Sequence, residues 1–221
     1  MDRYLTYHKK NRELNASEVI ANVNSNVDYD FYTNITISDI SKGDLMLINK
    51  YNRLESNFVP DNLIPIETSY GLLTLKSTAY NYFKKMHDDA AREGLKIVIV
   101  SPYRSYSQQS KMYKNYVVNH GKVKTDTFFA RAGHSEHQAG LAIDISIPGK
   151  SIENFEGTEE FKWVKKNAHQ YGFILRYPKD KEHLTGYVYE PWHYRYVGID
   201  VATKIKEENV IFEEYYAYFV K

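Results

Sequence analysis

The segment GLAIDISI, residues 140–147, alternates in a way that only an extended chain can use. Successive side chains of a strand point to opposite faces, so Leu141, Ile143, Ile145 and Ile147 share one side and Ala142, Asp144 and Ser146 the other. The apolar side commits this strand to a core. A carboxylate in the middle of the other side is costly to bury alone, so that face meets either solvent or a cleft that supplies partners. The residues just upstream, AGHSEHQA, bring two histidines, and Gly133 and Gly140 let the backbone fold back tightly around them.

The rest of the chain supplies elements to pack around that strand. Leu72, Leu75, Ala79, Phe83, Met86 and Ala90 recur at three- and four-residue steps, which predicts a helix over 72–92 that Gly94 stops. LKIVIVS reads as a buried strand, and residues 107–118 as a second helix. EEFKWVKKNAHQYG reads as an amphipathic helix with Trp163, Val164 and Ala168 inward and Gly172 as its stop, followed by strands at FILRY and EPWHYRYV. The expected fold is α+β, a small antiparallel sheet with flanking helices and the polar residues on the sheet's open face. Residues 51–221 form the expected domain and residues 1–50 an N-terminal extension. Within that extension Asn15 and Glu18 make a capping box for a short helix, SEVIANVN. Pro60 and Pro65 mark an extended connector ahead of the first long helix.

Composition excludes several classes. A formal net charge of +1 gives no electrostatic case for nucleic acid or an anionic membrane surface. No apolar run approaches the roughly 18–20 residues needed to span a bilayer. The 21 tyrosines suit either a groove for a peptide or glycan or half-buried packing. With no cysteine, disulfides, thiolate metal sites and cysteine nucleophiles are all removed, so any metal must be held by His, Asp or Glu.

Such a set exists. In EPWHYRYV, Pro191 biases Glu190 toward an extended conformation three residues before His193. Three protein ligands with a fourth position left for water make a catalytic zinc site, and a carboxylate beside the metal is its usual general base. His137, Asp144 and His193 supply ligands and Glu190 the base, with His134 a competitor for His137 in the same loop. His8, His87, His120, His169 and His183 have no partner at ligand spacing and read as surface residues.

SEHQAGLAID followed by EPWH resembles the S-x-H-x-x-G-x-A-x-D and E-x-W-H signature of VanY-type D-alanyl-D-alanine carboxypeptidases, part of a zinc-peptidase superfamily that includes lysostaphin-like endopeptidases and the hedgehog signalling domain. SPYRSYSQQ is similar to that family's S-G-Y-R-S-Y-x-x-Q segment, with Pro102 where glycine is commoner. The resemblance implies zinc on His137, Asp144 and His193 and selects His137 over His134. It implies Glu190 as base and Tyr177 as a hydroxyl near the scissile bond. Arg104 would pair with the substrate carboxylate, Gln109 and Ser135 would line its pocket, and Trp192 would pack beneath the metal.

The implied reaction is metal-assisted hydrolysis. Glu190 takes the proton of the attacking water and delivers it to the leaving D-alanine amine, with D,D-carboxypeptidase activity favoured. An L,D-carboxypeptidase, a D,D-dipeptidase or a peptidoglycan endopeptidase would use the same metal site with a differently shaped pocket. A non-catalytic zinc module would have lost the base, and Glu190 is present. The implied partners are peptidoglycan stem peptides or their lipid-linked precursor, with no nucleic acid and no stable protein partner. The expected location is extracytoplasmic, with a signal or membrane anchor outside this sequence.

Overall fold

A computed structural model describes residues 2–68 and 70–220. In chain order the elements are helices α1 (Asp2–Lys10) and α2 (Ala16–Asn24), then strands β1 (Thr36–Ile37), β2 (Asn52–Arg53), β3 (Leu63–Thr68) and β4 (Gly71–Lys76). Helix α3 (Ser77–Arg92), strand β5 (Val98–Ser101) and helices α4 (Tyr106–His120) and α5 (Lys122–Phe128) follow. Strand β6 (Ala142–Ser146), helix α6 (Glu159–Asn167), strand β7 (Phe173–Leu175), helix α7 (Glu182–Thr185), strand β8 (His193–Tyr196) and helices α8 (Ile199–Glu208) and α9 (Phe212–Phe219) complete the fold.

The expected α+β architecture is what forms. Strands β5, β6, β8 and β7 lie side by side in that order in one antiparallel sheet. Register pairs Asp144 with His193 across β6 and β8, so two of the expected ligands become neighbours by strand pairing alone. Leu141, Ile143 and Ile145 enter the main core with Ala79, Phe83, Met86 and Ala90 of α3, the stripe that the helical periodicity marks out. Val164 and Ala168 join them from the α6 region, whereas Trp163 is half-buried at the edge and donates its indole N–H to Glu93 (2.7 Å).

One expectation needs correction. The helix begins at Ser77, not at residue 72, because 71–76 pairs residue for residue with β3 in a hairpin that also takes in Pro65. Leu72 and Leu75 fit a helical step while Leu73 and Leu75 fit a period of two, and the apolar residues facing Leu73 and Leu75 from β3 decide the matter. The face of β6 that carries Asp144 meets a cleft, one of the two settings expected for it. Every residue of β6 is buried, and Asp144 looks into a cavity.

Residues 2–50 pack onto the same body. The Asn15–Glu18 capping box is present, and Met46 and Ile48 belong to the main core. Ser25 donates to the carbonyl of Glu213 in α9 (3.1 Å).

Candidate metal centre and its cavity

The loop between α5 and β6 is shaped by its glycines. Gly140 adopts φ +65°, and a Cβ there would stand 3.1 Å from Leu63 and 3.2 Å from Lys76. At Gly133, φ +87°, a Cβ would come within 2.9 Å of the Leu54 carbonyl. Between them the chain makes a short 3₁₀ turn, Glu136–Ala139, that lowers His137 onto the sheet beside Asp144.

Donor atoms of His137, Asp144 and His193 all lie within 4.8 Å of one another, and all three residues are buried. His137 Nδ1–H donates to the Pro102 carbonyl (2.6 Å), which leaves Nε2 unprotonated and 3.4 Å from Asp144 Oδ2. His193 Nδ1 is 3.0 Å from Asp144 Oδ1. Two ligands of a tetrahedral zinc at about 2.0–2.1 Å stand roughly 3.3 Å apart, so these separations suit that ion.

The electrostatics suit it too. Burial lowers the His137 pKa, keeping the imidazole neutral as a ligand must be. Burial opposes the charge on Asp144, yet the imidazoles of His137 and His193 against it hold the carboxyl well below the ordinary range. Burial also works against a charged His193, but contacts with Asp144 and Glu136 and the charge of Glu190 raise it to about 9. That excess of negative charge attracts a proton, and attracts a divalent cation more strongly.

Glu190 sits beside the cluster, its Oε2 3.8 Å from His193 Nδ1. Burial, and then the neighbouring charge of Asp144, push its pKa up to about 8. A cation held by the cluster would bring it down again through opposite charge.

A cavity of about 490 Å³ opens above these residues, and Ser101, Arg104, Gln109, Ser135, Tyr177 and Glu190 are among its lining. Every site residue expected from the sequence is therefore gathered in one place. Arg104 Nη1 donates to Gln109 Oε1 and Nη2 to Ser101 Oγ, each at 2.7 Å. Gln109 donates in turn to the Ala130 carbonyl (2.6 Å), so both ends of its amide are occupied in bracing Arg104. The Tyr177 ring lies 4.9 Å from that of His193. Burial and the charge of Glu136 raise the Tyr177 phenol well above its ordinary value, so the hydroxyl stays a donor. Trp192 is half-buried, packs against the main core and lines the cavity.

His134 lies outside the cluster. Its Nδ1 donates to the Asn49 carbonyl (2.8 Å) and its ring meets Tyr32 edge-on at 5.0 Å. His8, His120 and His183 are exposed, and His87 and His169 half-buried.

Sequence reasoning missed three groups. Glu136, Arg176 and Arg195 are buried ions behind His193, and Ser101 fixes Arg104. Met112, Tyr116, Phe128 and Phe129 form an apolar wall of the cavity. The signal for Arg195 was available, since it follows His193 by two residues in a strand and must share its face.

The model of the VanY family, D-alanyl-D-alanine carboxypeptidase, matches residues 72–199. A D-alanyl-D-alanine carboxypeptidase of Enterococcus faecium is 35% identical over 195 residues, covering 83% of this chain and 61% of that protein. The chain spans two thirds or less of the length of the first curated relatives it matches. Among solved structures, the LD-carboxypeptidase LdcB superposes with a TM-score of 0.77 at 37% identity, covering 85% of this chain and 92% of that one. The vancomycin-resistance D,D-pentapeptidase VanY, solved with Zn(II), gives 0.68 at 33% identity and covers 78% and 98%. By its motifs, its fold and these matches, the chain belongs to the VanY family of D-alanyl-D-alanine carboxypeptidases.

Proposed function

We propose that this protein is a zinc-dependent carboxypeptidase that releases the C-terminal D-alanine from peptidoglycan stem peptides. The observation that carries the proposal is the buried His137–Asp144–His193 cluster with Glu190 beside it and Arg104 in the same cavity. When bound there, zinc supplies Lewis acidity for the scissile carbonyl and for water.

The chain's own residues do the rest. Glu190 accepts a proton from the attacking water and returns it to the amide nitrogen of the leaving D-alanine. Tyr177 directs a hydroxyl donor at the oxyanion that develops as the carbonyl is attacked. Arg104, held flat by Gln109 and Ser101, pairs with the terminal carboxylate and makes the enzyme cut one residue from a free end. Gln109 acts through Arg104, and Ser135 contributes to the polar floor. The walls formed by Phe128, Phe129 and Met112 exclude water from the ion pair.

The likeness to LdcB supports a second reading, L,D-carboxypeptidase activity on tetrapeptide stems with the same catalytic groups. Either substrate, whether in the wall or as a lipid-linked precursor, puts the working site outside the cytoplasmic membrane. Among the described residues no helix is long and apolar enough to cross a membrane. We further propose that residues 51–221 carry the peptidase and that the first 50 residues serve as packing for it, which the core positions of Met46 and Ile48 support.

The test is to incubate the protein with defined pentapeptide and tetrapeptide muropeptides and identify the product by mass. Loss of one D-alanine from the pentapeptide is expected. Loss from the tetrapeptide alone would move the assignment to the L,D reading, and release of a dipeptide or an internal cut would overturn both.

A further inference from the structure

Glu136 lies between Ser135 and His137 in sequence and borders the same cavity, and its side chain is fully buried. Its Oε1 accepts from Arg176 Nε (2.8 Å) and Arg195 Nη1 (2.9 Å). Among the described residues its Oε2 has no hydrogen-bond partner, nor has His193 Nε2, and the two atoms face each other at 3.6 Å. The other nitrogen of that ring, Nδ1, is the one turned toward Asp144.

We propose that Glu136 is a positioning residue for the metal ligand His193, its Oε2 holding the Nε2 proton so that Nδ1 is the lone-pair donor to a metal. This inference rests on the zinc reading above. An imidazole that binds metal through one nitrogen carries its proton on the other, and a carboxylate at that proton fixes both tautomer and ring orientation. The facing atoms, each otherwise unsatisfied in a buried setting, close to a normal hydrogen bond with a small shift of either group.

The carboxylate is itself held rigidly. Arg176 is gripped in a two-pronged pair by Glu213 (2.8 and 2.6 Å), and Arg195 donates to the carbonyls of Asp44 and Met46 (both 2.9 Å). Two arginines and two glutamates balance in charge, which such burial demands. Asp44, Met46 and Glu213 all lie outside the segment that the family model covers, 72–199. The N-terminal segment and α9 thus reach the metal centre through Arg195, Arg176 and Glu136.

Two measurements test this on the full chain. The first is zinc affinity of the metal-stripped protein by competition with a chromophoric chelator, alongside thermal unfolding of the same metal-free samples. Glu136→Gln is expected to bind zinc about 10–100-fold more weakly than wild type, because the amide presents a donor to a donor. Glu136→Asp, which keeps the charge, should recover part of the loss. Equal zinc affinity in wild type and Glu136→Gln, with only the unfolding temperature changed, would make Glu136 a structural ion and overturn the proposal. A wild type that takes up no zinc would instead overturn the underlying zinc reading, and this inference with it. The second measurement needs no substitution: imidazole nitrogen resonances of the zinc-loaded wild type should show His193 protonated at Nε2 and metal-bound at Nδ1. The reverse pattern would contradict the proposal.

Discussion

Arg104 and Gln109 form a 2.7 Å hydrogen bond whose far end is tied to the Ala130 carbonyl, so the guanidinium is held in the cavity before any substrate arrives. A pre-set planar cation is what a terminal carboxylate can meet two-pronged. Losing such a pair in a partly desolvated pocket costs about 2–4 kcal/mol, roughly a 30- to 1,000-fold drop in kcat/KM. Arg104→Ala should therefore show that loss on free-ended peptides and narrow the gap between free and amidated substrates. Arg104→Lys should recover only part. Equal cleavage of free and amidated peptides by the wild type would contradict a carboxylate-reading role.

Gln109→Ala should act in the same direction but more weakly. Arg104 keeps its charge and its bond to Ser101, and loses one of two braces. A rise in KM of about 3–10-fold is expected, the worth of roughly one neutral hydrogen bond. Initial-rate kinetics on one pentapeptide settle it, and a loss as large as that of Arg104→Ala would mean that Gln109 touches substrate itself.

Glu190 and His193 should fail differently. His193→Ala removes a donor from the cluster and should lose zinc. Glu190→Gln keeps the shape of the side chain, should retain zinc, and should lower kcat by at least about 10²-fold. Metal analysis paired with kinetics separates the two. If Glu190→Gln lost zinc as readily as His193→Ala, Glu190 would be a ligand.

His134 should make the fold acid-sensitive. Burial lowers its pKa from 6.5 to about 4, so the unfolded chain takes up the proton first as pH falls. Its contribution is fully present above pH 6.5, declines as pH drops toward 4 and is constant below. The whole effect is about 3 kcal/mol at most. Denaturant midpoints measured across this range should fall less steeply for His134→Gln than for wild type. Identical slopes would mean that His134 titrates normally in the fold.

Gly140→Ala should destabilise the loop that carries His137. The backbone sits at φ +65°, and the added methyl meets Leu63 and Lys76 at 3.1–3.3 Å. Strain of about 1–3 kcal/mol follows. Thermal unfolding of the metal-free protein checks it, and an unchanged midpoint would show that the loop relaxes freely.

How much of this could be read from the residues differs from place to place. The β6 strand was legible because alternation is a local property, and Asp144 stood out as a carboxylate that needed partners. The helical stripe from Ala79 to Ala90 was legible for the same reason. The β3–β4 hairpin was not, because Leu72 and Leu75 satisfy a helical step, Leu73 and Leu75 a strand's period, and only the pairing with β3 chooses between them. The site residues were findable through motif spacing, but their supports were not. Ser101, Glu136, Arg176 and Glu213 reach the site from separate elements, and a charged residue gives no local sign that it will be buried against a partner 37 or 40 positions away.

Hydrolysis should depend on a metal held by His137, Asp144 and His193. The most direct measurement follows release of D-alanine from a free-ended stem pentapeptide by the metal-stripped protein as zinc is added back, with bound zinc counted by elemental analysis. No turnover is expected without metal, and recovery should saturate at about one zinc per chain. Full turnover with no bound metal, or zinc uptake that leaves the rate unchanged, would contradict that dependence.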